Sequence, residues 1–182
     1  PDVNAYLNAL ERIRTTNDGF FGIKVQPPQL MALTGPKKAD IDLFIKRFDK
    51  LVLITRKDKL GQAISGAISQ VTGTWFNGAK SPQIDPAKRT EMIPLIARNL
   101  NRYILEDQFI TNISRQLQQP MLRIEYEDIL SDGQSVFNEV SEFLGPLGIE
   151  LNESSDIIVP EKADGALATE LRQMFLNAIQ GK

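Results

Sequence analysis

Apolar residues follow helical spacing over several stretches of this chain and collect into short blocks between them. Val3, Tyr6, Leu7, Leu10 and Ile13 predict a first amphipathic helix, ended by the turn-forming Asn17-Asp18-Gly19. Phe20 to Val25 reads as a strand closed by Pro27-Pro28, and Pro28 to Leu33 as a short helix broken by Gly35-Pro36. Asp40 is placed to cap a helix whose apolar face is Ile41, Phe44, Ile45 and Phe48. The block Leu51 to Ile54 predicts a second strand, feeding a helix from near Asp58 through Ser69. A loop is expected from about Gly73 to Pro86, then a long helix to about Leu117 that Pro94 would kink or delimit. Met121 to Tyr126 predicts a third strand, Ser135 to Phe143 a helix stopped by Gly145-Pro146, and Asp164 to Ile179 a last helix beyond a loop at 152–160. Strands alternating with helices imply a parallel sheet covered by helices, within a single domain spanning residues 1–182.

The second strand is where chemistry enters. It runs Leu51-Val-Leu-Ile-Thr-Arg56, so a cation stands at the carboxyl edge of a strand read as buried. That edge is where open α/β sheets bind ligands. A guanidinium fork matches two phosphate oxygens, and Ser65 on the following helix can donate a third hydrogen bond. Lys24, near the end of the first predicted strand, is a second cation beside a strand terminus. The bland alternatives are a surface ion pair for Arg56, close helix packing for Ser65 and Ser69, and a lysine snorkelling to solvent for Lys24.

Composition narrows the options. The chain has 182 residues, no cysteine and no histidine. Thiol nucleophiles, disulfides, a Ser-His-Asp triad and imidazole or thiolate metal sites are therefore excluded for this sequence. A net charge of −2 argues against general nucleic-acid binding. No apolar stretch approaches the ~20 residues of a membrane span, and no signal peptide is visible, so the reading is cytoplasmic. The chain opens on Pro1 with a helical pattern at once, and three strands are few for a covered parallel sheet. A further strand upstream is expected.

Four blocks, in order, resemble the trehalose 2-sulfotransferase family, whose bacterial members are often labelled lipopolysaccharide or nodulation-type sulfotransferases. They are Gly19-Phe-Phe-Gly-Ile-Lys24, Ile54-Thr-Arg56-Lys-Asp58-Lys59 with Gln62-Ala-Ile-Ser65, Thr72-Gly-Thr-Trp75, and Ile124-Glu-Tyr126-Glu127-Asp128-Ile129. A weaker fifth is Lys162-Ala-Asp164. The resemblance implies a three-layer P-loop-like α/β fold, with a central parallel sheet flanked by helices. It implies transfer of a sulfuryl group from 3′-phosphoadenosine-5′-phosphosulfate (PAPS) to a hydroxyl of a carbohydrate or other small metabolite, with no metal. Arg56 and Ser65 would hold the donor's 3′-phosphate, leaving 3′-phosphoadenosine-5′-phosphate (PAP) as product. The family's Ser/Gly-rich phosphosulfate loop does not occur here. That strand, loop and helix, with the general base, are expected upstream of Pro1.

Other residues carry rival roles. Lys24 could sit near the bridging oxygen or the acceptor, and Lys162 could close over the nucleotide. Trp75, the one tryptophan, suits either a sugar-stacking platform or a cap on the Arg56 helix. Glu127 and Asp128 could act as acid and base, though capping the next helix suits them better. The alternative functions are a P-loop nucleoside or phosphoryl kinase, which requires a Gly-Lys-Ser/Thr loop upstream, and a non-catalytic nucleotide-binding or interaction module. A homodimer through the long helix is compatible with the sequence.

Overall fold

In the computed structural model of the chain, the described residues are 3–35, 37–74, 84–149 and 165–181. Each stretch of 3.6-residue apolar spacing forms a helix. The elements run α1 (Val3–Arg14), α2 (Pro27–Thr34), α3 (Lys38–Ile45), β1 (Leu51–Thr55), α4 (Lys59–Thr72) and α5 (Pro86–Ser114). They continue with β2 (Met121–Glu125), α6 (Tyr126–Ser131), α7 (Gly133–Leu144), a 3-10 turn at Gly145–Leu147 and α8 (Ala166–Ile179). Among the described residues the fold is mixed α/β and mostly helical, with one parallel pair of strands. Leu51 stands opposite Met121 and Thr55 opposite Glu125. No helix among the described residues is long and apolar enough to cross a membrane.

Helix α5 is the spine. Its 29 residues span about 43 Å at 1.5 Å per residue. Pro94 lies inside it and neither ends it nor marks a boundary. Proline removes one i→i−4 bond, that to Thr90, and both residues are exposed, so water can take the freed carbonyl. The first half of α5 packs on α4 and α8 through Met92, Ile96, Ala63, Ile64, Ala67, Leu171 and Phe175, all buried. Its second half brings Phe109, Ile110 and Ile113 to a separate core made by Leu7, Leu30, Ile41, Phe44 and Ile45.

Between α4 and α5 the backbones approach closely at Gly66, where an added Cβ would lie 2.7 Å from the Tyr103 hydroxyl. Buried Asn99 joins the same seam, donating to the Ala63 carbonyl at 3.4 Å and accepting from Gln70 at 3.4 Å.

Three expectations change. Phe20 to Val25 has no regular secondary structure and only partly alternates between half-buried and exposed positions, and it pairs with no strand among the described residues. Period-two alternation does not by itself supply the partner a ladder needs. Phe21 stacks on Phe48 at 6.3 Å, and Val25 packs against the second core, which is what holds the segment. β1 is not buried on both faces, since Val52 is 42% and Ile54 55% exposed. Asp40 is not a cap but a first-turn residue of α3, whose N-cap is Lys37; either place favours a carboxylate through the helix dipole.

Candidate anion-binding site

The carboxyl ends of β1 and β2 lie side by side because the strands are parallel and in register. Each leads straight into a helix, so two strand-to-helix turns meet, and side chains from each bind the other. The Thr55 hydroxyl donates to Glu125 Oε2 at 2.9 Å. The Glu127 carboxylate accepts the backbone N–H groups of Lys57 and Asp58, both at 3.1 Å. Arg56 lays its guanidinium on the Tyr126 ring, 4.6 Å from the centroid.

Asp58 caps α4, accepting from the Gly61 N–H at 2.9 Å. It also receives Arg172 of α8 at 2.5 Å, which fastens the last helix to this corner. A Cβ at position 61 would lie 2.3 Å from Asp58 Oδ2 and 2.9 Å from Arg172, so a side chain there would push both away from the cap. Lys59 pairs with Asp107 of α5 at 2.7 Å.

Electrostatics follow from these bonds. Burial pushes the Asp58 carboxyl up, but the Gly61 N–H, Arg172 and Arg56 together outweigh it and hold the group below the usual aspartate range. Burial likewise raises Glu127, and the N–H groups of Asp58 and Lys57, its own N–H and Arg56 together bring it lower. Both side chains are therefore ionised acceptors at neutral pH. Glu127, with both oxygens on backbone N–H groups, is a clamp between the two turns and is poorly placed to be a base.

Arg56 is different in kind. It feels both carboxylates, yet among the described residues no carboxylate lies within 4 Å of it. Its Nε is buried with no hydrogen-bond partner, and so is Oε1 of Gln62. Native proteins rarely leave such groups unpaired. A half-buried, aromatic-stacked guanidinium with a spare donor is equipped to hold an anion. The α4 N-terminus itself is not the receptor, because the N–H groups of Lys57, Asp58 and Gly61 already serve carboxylates.

Ser65 lies on α4 about 10 Å along the axis from the Asp58 cap and is half-buried. No hydrogen bond joins it to Arg56; it shares a helix face with Asp58, Gln62 and Ser69, each half-buried, opposite the core residues Ala63, Ile64 and Ala67. Lys24 is exposed on the irregular Phe20 to Val25 segment and, contrary to expectation, does not stand at the end of a strand among the described residues. Trp75 and Lys162 lie outside the described residues. Among those described, no group of three His, Cys, Asp or Glu side chains could hold a metal ion. Sequence reasoning missed the clamp of Glu127, the stacking of Tyr126 and the Arg172 tether. Gln62 had one legible signal, its place one turn before Ser65.

Comparison of the chain with protein-family models, with curated proteins and with solved structures found no match.

Proposed function

We propose that this chain is a PAPS-dependent sulfotransferase domain with a P-loop-like three-layer arrangement, acting on a hydroxyl of a carbohydrate or similar small metabolite. The observation that carries the reading is Arg56: a cation at the carboxyl edge of a parallel strand, stacked on Tyr126, without a carboxylate partner among the described residues and with Nε buried and unpaired. Arg56 would take the 3′-phosphate of the donor in its guanidinium fork, and Ser65 on the next helix would add a hydroxyl donor.

In the reaction, the acceptor oxygen forms a bond to sulfur in line with the leaving group. The bond from sulfur to the 5′-phosphate oxygen breaks, the acceptor proton passes to a general base, and PAP departs. Arg56 serves this chemistry by fixing the donor at the end remote from the transferred group, so its contribution is positional. Asp58 and Glu127 support it indirectly, by holding the two turns together.

The test is selective binding. Arg56→Ala should weaken PAP binding about 10- to 100-fold, the worth of a lost charge-assisted phosphate contact. Binding of adenosine 5′-phosphosulfate, which lacks the 3′-phosphate, should change little. Equal losses for both nucleotides in calorimetry would remove Arg56 from the 3′-phosphate position.

A further inference from the structure

Two buried polar atoms lack partners at this corner, and they are opposite in kind: the Arg56 Nε donates and the Gln62 Oε1 accepts. Gln62 is fixed to the corner by its backbone, its N–H bonding the Asp58 carbonyl at 3.0 Å, and it precedes Ser65 by one turn on the same face. The dianion of a phosphate monoester, such as a nucleotide 3′-phosphate, carries only acceptors, so it can satisfy Arg56 and leaves Gln62 unmet. A ligand matching both atoms must carry a hydrogen-bond donor beside its anionic group. On a nucleotide 3′-phosphate, the 2′-hydroxyl occupies the adjacent ring carbon and is such a donor.

We propose that Gln62 is a binding residue of this site, its side-chain carbonyl accepting a hydrogen bond from the ribose 2′-hydroxyl next to the phosphate that Arg56 holds. The assignment rests on the nucleotide reading above and adds to it a selection for ribose over deoxyribose. Arg56 and Ser65 read the phosphate; Gln62 reads its neighbour.

The experiment is calorimetric titration of wild type, Gln62→Leu and Arg56→Ala with PAP and with 2′-deoxyadenosine 3′,5′-bisphosphate. Wild type should prefer PAP about 3- to 10-fold, the range of one neutral hydrogen bond. Gln62→Leu should bind both nucleotides alike, at the wild-type affinity for the deoxy form. The comparison of two ligands on unmodified protein needs no variant to fold. Equal affinities there would overturn the proposal, leaving Gln62 bonded to buried water or donating through its amide. Persistence of the ribose preference in Gln62→Leu would overturn it too. Binding that depends on Arg56 but not on Gln62 removes this proposal alone, whereas no binding of either nucleotide by wild type removes the donor assignment and this one with it.

Discussion

Gly66 offers the sharpest test of how α4 is seated. Substitution by alanine places a Cβ 2.7 Å from the Tyr103 hydroxyl, 3.4 Å from Asn99 Nδ2 and 3.6 Å from Tyr103 Cε2. Only the first is a true overlap, and the rigid ring cannot fold away from it. Overpacking of this sort costs about 1–3 kcal/mol. Against it stands a helix-propensity gain of about 1 kcal/mol for alanine over glycine. The net loss should be about 1 kcal/mol, seen as a fall in Tm of about 2–4 °C for a chain of this size. In a Tyr103→Phe background the overlapping oxygen is gone and the remaining contacts are ordinary. There Gly66→Ala should stabilise by about 1 kcal/mol, the propensity gain alone. Urea unfolding of the four proteins gives the cycle directly, with an expected coupling of about 2 kcal/mol. A cost for Gly66→Ala that is the same in both backgrounds would refute the close approach of α4 and α5 at Tyr103.

Other outcomes follow from the same structure. Ile96 is wholly buried among α4, α5 and α8, so Ile96→Ala should cost about 2–5 kcal/mol in urea unfolding. Asp58 and Glu127 titrate below their ordinary values in the folded protein, so the stability they contribute is complete above the unfolded carboxylate pKa of about 4 and is lost as pH falls through the depressed folded values. The urea midpoint should therefore fall on acidification from about pH 5 to about pH 3. Asp58→Asn with Glu127→Gln should flatten that fall, and an unchanged slope would count against their assigned partners. Ser65→Ala should weaken PAP binding several-fold less than Arg56→Ala in calorimetry, since a neutral hydroxyl contact is worth less than a charge-assisted one.

How legible this was in the sequence depends on the range of the interaction. Apolar spacing located the helices because burial on one face is a local property of the chain, as in α8, where Leu171 and Phe175 point at the core. It also located β1 and β2, but not their number of neighbours. The run Leu51 to Ile54 looks like a strand covered on both sides, and Val52 and Ile54 are nonetheless exposed. Phe20 to Val25 alternates in part as a strand does but finds no strand partner among the described residues, which no local pattern encodes. At the site, Arg56 was legible as a cation ending an apolar strand and Asp58 as the start of a helix. The groups that organise them come from afar: Glu127 reaches Asp58 across 69 residues of chain and Arg172 across 114. Spacing does not forecast such meetings.

The proposed hold of Arg56 on a 3′-phosphate is tested most directly by titrating wild type and Arg56→Ala with PAP and with adenosine 5′-phosphosulfate in a calorimeter. Wild type should bind PAP tightly, the variant should lose about 10- to 100-fold, and adenosine 5′-phosphosulfate binding should change little. Failure of wild type to bind PAP, or an equal loss for both nucleotides, would contradict the assignment.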